Sequence, residues 1–209
     1  MHCLADCAAK YPIPEVGEQY RVLILVLGFC GLRWGEVAAL RVKRVDLLRK
    51  RLTVAESVTE VSGRLVWGTP KSHQSRQVPI PRSVADLLFE VMAGKAADDL
   101  VFTTWHGKPL RNLTFRRDVF DLAAADANLH HLTPHELRHT AASLAVSAGA
   151  NVKAVQKMLG HSSAAMTLDV YSGLFDDDLD GVADRIDAAA ERVKNVSQAE
   201  VVNLRKAVD

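Results

Sequence analysis

The sequence predicts a mainly α protein with one small antiparallel β-sheet, an α+β arrangement, in a single domain that carries a tail. Three observations lead there. Apolar residues recur at three- and four-residue steps through most of the chain, the period of helices that bury one face. Between Leu52 and Pro81 the texture changes to short β-rich stretches broken by turn residues, which predicts short strands joined by tight connections. Beyond Phe175 acids accumulate around one last apolar stripe.

From Glu15 to Cys30, the positions Val16, Tyr20, Leu23, Ile24 and Leu27 mark a buried helix face that ends at Gly31. A second helix runs from Trp34 to Leu40. The segment that follows, RVKRVDLLRKR, sets six basic residues against Asp46 alone, and reads either as a solvated surface or as a patch for an anionic partner. The stretches LTVAESV, RLVWGT and RQVPIP, separated by Ser62-Gly63 and by Lys71-Ser72-His73-Gln74-Ser75, form the sheet. Helical periodicity returns from Ser83, as cap, to Ala93, with Val84, Leu87, Leu88 and Val91 on one face. Leu100 to Thr103 and the Gly107-Lys108-Pro109 turn lead to a helix near Leu113 to Ala127. Thr133 and Pro134 signal a start, a capping residue before proline at the first helical position with Glu136 third. That helix continues to Ala148 and stops at Gly149. Two short helices follow, Val152 to Leu159 and Ala164 to Tyr171. From Asp178 to Val193, Leu179, Val182, Ile186 and Ala189 share a stripe with acids between them, an amphipathic helix able to dock on its own body or on a neighbour. There is no internal repeat and no low-complexity tract.

The 209 residues are 48% hydrophobic and 24% charged, which excludes a disordered or collagen-like chain. The formal charge of +1 argues, taken alone, against a nucleic-acid partner. It conceals a split, with 21 basic and 16 acidic residues through Phe175 and 5 basic and 9 acidic after it. The longest apolar run, Val22 to Cys30, is broken by Gly28 and falls far short of the ~20 residues that cross a bilayer, so no membrane association is expected. The first residues lack the charged start, apolar core and cleavage site of a secretory signal. Three cysteines, Cys3, Cys7 and Cys30, predict free thiols in a reducing, cytoplasmic setting. Cys3 and Cys7 have helical spacing, but no second pair completes a metal site.

The densest polar cluster is HLTPHELRHT. On a helix His135, Arg138 and His139 share one face. His135-Glu136-Leu137-Arg138-His139 matches the H-E-x-x-H pattern of zinc peptidases, in which two histidines bind metal and the glutamate activates water. A third ligand is then needed, and only the distant His161 offers one. The second reading turns on Arg138. Arginine captures a phosphate bidentately and histidine donates near neutral pH, so H-x-x-R on one face suits a phosphodiester whose charge grows in the transition state. Such a site needs a further Arg, a proton donor for the leaving oxygen and a nucleophile. Arg33 stands at a helix mouth in Gly31-Leu32-Arg33-Trp34-Gly35-Glu36, with Glu36 one turn later to hold it. Lys71 lies in a polar turn between strands. His161 follows Gly160, which permits close backbone approach, and Tyr171 comes ten residues later.

As an ordered set these motifs resemble the catalytic domain of the tyrosine recombinases, the phage integrase family of site-specific DNA recombinases, over roughly Ile13 to Phe175. The resemblance implies site-specific recombination (integration or excision) by DNA strand cleavage and rejoining with no cofactor, metal or nucleotide. Tyr171 would attack the scissile phosphodiester to give a 3′-phosphotyrosine and a free 5′-hydroxyl. Arg33 and Arg138 would clamp the non-bridging oxygens, His161 would add a hydrogen bond, His135 is a candidate base for the tyrosine proton, and Lys71 would protonate the leaving 5′-oxygen. Arg41, Lys43, Arg44, Arg76, Arg116 and Arg117 are the expected phosphate contacts of a double-stranded DNA partner. A type IB topoisomerase, similar in fold and chemistry, is the alternative enzyme.

The resemblance also implies a bacterial or phage-encoded protein that forms a tetramer on synapsed DNA and is monomeric or weakly associated without it. Residues 1–175 are then the catalytic domain and 176–209 an acidic tail exchanged between subunits. The amino-terminal core-binding and arm-binding domains of such proteins have no room before Ile13 and are expected to be absent, which predicts weak, salt-sensitive DNA binding.

Overall fold

A computed structural model of the chain describes residues 1–12, 14–70, 75–174, 183–184 and 186–191. Two compact units divide it, Met1–Tyr171 and Ser172–Asp209.

The first unit is built around α2 (Pro14–Cys30), preceded by α1 (His2–Ala8). The sequence pattern predicts one buried face on α2, yet all six residues from Val22 to Leu27 are wholly buried. A helix that is apolar all round belongs in the interior, and α2 packs against α1, α4 (Arg82–Met92) and α7 (Glu136–Ser147). The α1 segment is a helix that the sequence reading passes over. Leu4, Ala5, Cys7 and Ala8 are its buried side, so Cys7 is a core residue while Cys3 is exposed. The short α3 (Trp34–Ala38) follows a sharp turn after α2.

The strand-rich region forms two sheets instead of one. The strands β1 (Val45–Asp46), β2 (Arg51–Val54) and β5 (Arg76–Pro79) make an antiparallel sheet in the order β1-β2-β5. The hairpin β3 (Ser57–Val61) and β4 (Arg64–Gly68) stands apart from it. In the β2–β5 register Leu52 faces Val78 and Val54 faces Arg76. Leu52, Val54 and Val78 are buried, so strand alternation turns Arg76 toward the interior with them.

A helical stretch then runs through α5 (Asn112–Phe115), one wide π turn at Arg116–Phe120, and α6 (Asp121–Asp126). Phe115, Val119 and Phe120 enter the core, while Arg116 and Arg117 point outward. α7 begins two residues later than its start signal predicts. Thr133 to His135 form a tighter lead-in, and the Glu136 carboxylate reaches back to accept from the Thr133 backbone N–H at 2.6 Å. The bounds of α8 (Val152–Leu159) and α9 (Ala164–Tyr171) agree with the sequence reading. The Asn151 side chain caps α8 by accepting from Ala154 N–H at 2.9 Å, and Gly160 ends it in the left-handed conformation, φ 66°.

Among the described residues no helix is long and apolar enough to cross a membrane. In the second unit, residues 183–184 and 186–191 are helical. Leu179 and Val182 of the expected tail stripe lie outside the described residues, and Ile186 is exposed.

Candidate active site

Four elements meet where the expected residues gather: the start of α3, the first turn of α7, the end of α8 and the end of α9. Arg33 immediately precedes α3, and its backbone N–H donates to Glu36 Oε2 at 2.8 Å while its Nη1 donates to Glu36 Oε1 at 3.1 Å. The Glu36 side chain is 1% exposed and carries a second guanidinium. Arg76 grips it bidentately, Nη1 to Oε1 at 2.8 Å and Nη2 to Oε2 at 2.7 Å. Burial alone would raise the Glu36 pKa, but the Arg76 hydrogen bonds and charge, followed by Arg33, outweigh it and hold the carboxyl below its ordinary range.

The end of α8 organises the remaining cations. Arg76 Nε donates to the Met158 carbonyl at 2.9 Å. Arg138, buried on α7, donates to the carbonyls of Leu159 and Gly31. Arg33 makes longer approaches, 3.5 Å each, to the carbonyls of Leu159 and Gly160. The last carbonyls of a helix lack intrahelical partners and carry its negative dipole end, so three guanidiniums converge on one helix terminus. Burial, and next the Arg33 charge, pull the Arg138 pKa down to about 10, which leaves it fully cationic at neutral pH. Arg33 and Arg76 share the single carboxylate of Glu36 while Arg138 bonds only carbonyls, so three guanidiniums face one carboxylate, an excess of positive charge suited to a phosphate.

His161 follows directly, its Nδ1 2.9 Å from the hydroxyl oxygen of the buried Thr167. Burial, with the charges of Arg138, Arg33 and Arg76 behind it, pushes its pKa down to about 4, so its ring is neutral near pH 7. Tyr171 is 5% exposed, one turn beyond Thr167 on the same face of α9. Its hydroxyl lies 2.8 Å from Nδ1 of His139. Burial raises the Tyr171 pKa, and the Arg138 charge works against that rise. His135 packs edge-on against His139, ring centroids 5.3 Å apart, and lines a hollow of about 550 Å³ with Arg33, Trp34 and Glu36. Its pKa is lowered, first by burial and then by His139 and the two arginines.

Thus Arg33, Glu36, His135, Arg138, His161 and Tyr171 come together around the α7, α8 and α9 junction. Lys71 lies outside the described residues. The expected DNA contacts divide. Arg76 is turned inward against Glu36, its side chain 9% exposed, and braces the cluster instead of projecting from the surface. Arg41 and Arg44 pair with Glu56, and Lys43 with Asp98. Arg116 pairs with Asp121 and Arg117 with Asp118. Ion pairs this open to solvent are weak and exchangeable for phosphate.

Three residues of the site escape the sequence reading, and a fourth, His139, is placed by it on the α7 face without its contact to Tyr171. His139 and Thr167 touch Tyr171 and His161 as described. Lys153 and Lys157 line a hollow of about 580 Å³ together with Arg76 and His161. Their signal is four-residue spacing on one face of the helix that delivers His161.

Among the described residues no three His, Cys, Asp or Glu side chains are grouped to hold a metal ion, and His139, one of the two histidines of the zinc reading, is engaged by Tyr171.

The chain matches the phage integrase family over residues 9–177. It is 27% identical to the ICEBs1 integrase of Bacillus subtilis, over 84% of this chain and 50% of that protein. It is 33% identical to the integrase of Mycobacterium phage D29, over 74% of this chain and 43% of that protein. Among solved structures it is similar to the Tn1549 transposon integrase in complex with circular intermediate DNA, TM-score 0.69 at 24% identity, covering 88% of this chain and 64% of that one. It is also similar to the catalytic domain of bacteriophage HP1 integrase, TM-score 0.56 at 21% identity, covering 87% and 88%. The chain spans about half the length of the two sequence relatives. Neither the zinc peptidase nor the topoisomerase reading finds support among these relatives. A site that gathers Arg33, Arg76, His135, Arg138, His161 and Tyr171 and a family match across residues 9–177 agree: the chain belongs to the phage integrase family, the tyrosine recombinases.

Proposed function

We propose that the chain cuts and rejoins double-stranded DNA at specific sites through a covalent bond between Tyr171 and a 3′-phosphate. The observation that carries this reading is the Tyr171 hydroxyl held at the junction where Arg33 and Arg138 converge on the end of α8. The two guanidiniums receive the non-bridging oxygens of the scissile phosphate, where charge builds up during attack. Neutral His161 donates from the ring nitrogen that does not face Thr167. Lys71 protonates the leaving 5′-oxygen. The phosphotyrosine conserves the energy of the broken bond, so the reverse attack by a 5′-hydroxyl rejoins the strand without ATP. The names of relatives solved with DNA support the same partner. Site-specific exchange between two duplexes further calls for a tetramer in which the segment 176–209 docks on a neighbouring subunit.

The test is a nicked suicide duplex. Wild-type protein should accumulate a covalent adduct, and Tyr171→Phe should bind the duplex and form none; a normal adduct from Tyr171→Phe would remove Tyr171 from the role. A duplex with a bridging 5′-sulfur, whose thiolate leaves without a proton, should restore cleavage to Lys71→Ala. Without that restoration the acid lies elsewhere.

A further inference from the structure

We propose that His139, not His135, takes the proton from the Tyr171 hydroxyl. This rests on the reading of Tyr171 as the nucleophile and assigns the base for that same attack. The two histidines are four residues apart, His135 just before α7 and His139 in its first turn, but meet different neighbours. His135 lines the hollow beside Arg33, Trp34 and Glu36, where the phosphate would enter. Among the described residues the hydrogen-bond partner of the tyrosine oxygen is Nδ1 of His139, at 2.8 Å, with ring centroids 5.7 Å apart. That separation is already within the range a general base needs. His139 is exposed while Tyr171 is buried, so the imidazole connects a sheltered phenol to solvent, and imidazole is the side chain that accepts and returns a proton near neutral pH.

The Oη–H bond of Tyr171 breaks and its proton goes to Nδ1 of His139, while Oη forms a bond to phosphorus. The bond from phosphorus to the 5′-oxygen breaks, and that oxygen takes a proton from the general acid, Lys71 in the proposed function. On rejoining, the 5′-hydroxyl returns its proton to that acid as it attacks phosphorus. The bond from phosphorus to Oη breaks, and the His139 imidazolium gives its proton back to Tyr171. The scheme requires His139 to keep its ring proton on Nε2, so that Nδ1 is free to accept.

The test uses the full chain and nicked suicide duplexes tiled across the DNA that flanks its own gene. His139→Ala and His139→Asn should melt like wild type and form the adduct at least about 100-fold more slowly, the usual scale of lost general-base catalysis. The asparagine carbonyl can accept the hydrogen bond but cannot carry the proton, so wild-type cleavage by His139→Asn would overturn the proposal. With 3,5-difluorotyrosine at position 171, a more acidic nucleophile that depends less on a base, His139→Ala should recover about 10-fold or more while His135→Ala should not. The opposite pattern would return the role to His135. Nitrogen-15 spectra of the DNA-free protein give a readout that survives loss of cleavage. They should show Nδ1 of His139 unprotonated at neutral pH, with its signal moved by Tyr171→Phe; a protonated Nδ1 in the neutral ring would overturn the proposal. A normal adduct from Tyr171→Phe, by contrast, would remove the nucleophile itself and with it the underlying reading.

Discussion

Glu36 is the hinge of the site's electrostatics, because Arg33 and Arg76 both depend on its carboxylate for their orientation. Leaving one charge of a buried ion pair wholly unpaired costs about 3–5 kcal/mol, and Arg33 still pairs with Glu36 when Arg76 is removed. Arg76→Ala should therefore lower stability in urea unfolding by an amount below that ceiling and reduce cleavage with it. If Arg76 were a surface DNA contact, the variant would unfold like wild type and weaken binding alone. The folded Glu36 carboxyl titrates below its ordinary 4.5, so its contribution is complete above that pH and is lost as the pH falls below it. Glu36→Gln should lose stability near neutral pH and show a flatter decline below pH 4.5 than wild type. An unchanged acid limb would mean the carboxylate is not held as described. The inward placement of Arg76 was legible in the sequence: in R-Q-V-P-I, strand alternation puts Arg76 on the face of Val78 and Ile80. The positive charge of the residue concealed it. His139 was legible as a member of a helical face but not as the partner of Tyr171. That contact joins residues 32 apart in sequence, and no local pattern encodes it.

The element that binds the site together is α8, whose bounds and cap were plain in the sequence because Asn151 and Gly160 are local signals that need no tertiary partner. The sheet was less legible for the opposite reason. β2 pairs with β5 across the intervening hairpin, and alternation alone does not say which strand is the neighbour. At Gly160 two constraints coincide. Its φ is +66°, and an added Cβ would lie 2.9 Å from Arg76 Cδ and 3.0 Å from Nε. Gly149 has a φ of +83° with nothing within 4 Å of an added Cβ. Gly149→Ala should thus show the left-handed backbone cost of about 1–2 kcal/mol, and Gly160→Ala should exceed it while also lowering adduct yield, because Arg76 must move. Equal losses in thermal melts, with unchanged adduct from both, would mean that Arg76 gives way freely. The outer face of the same helix bears Lys153 and Lys157. Replacing both by alanine should lower DNA affinity across all sequences and reduce the slope of log affinity against log salt by about 2, with the melting temperature unchanged.

The charge of the whole chain, +1, is a sum over parts with opposite characters. The body through Phe175 holds 21 basic and 16 acidic residues, and the remainder 5 and 9. The compact unit that holds the described site residues closes at Tyr171, so a chain ending at Phe175 retains them. If the acidic segment docks on protein in a neighbouring subunit, its removal separates two activities that the full chain performs together. The 1–175 chain should still form the Tyr171 adduct in single turnover on a nicked duplex. It should bind DNA more tightly at low salt, because four net negative charges are gone, and that gain should fade by moderate salt as screening shortens the reach of surface charge. It should lose cooperative pairing of two duplexes, read as the disappearance of the slow, higher-order band in native gels. Cooperative pairing that survives the deletion would show that the segment does not link subunits, and the excess of acid there would then serve only to offset the body's charge.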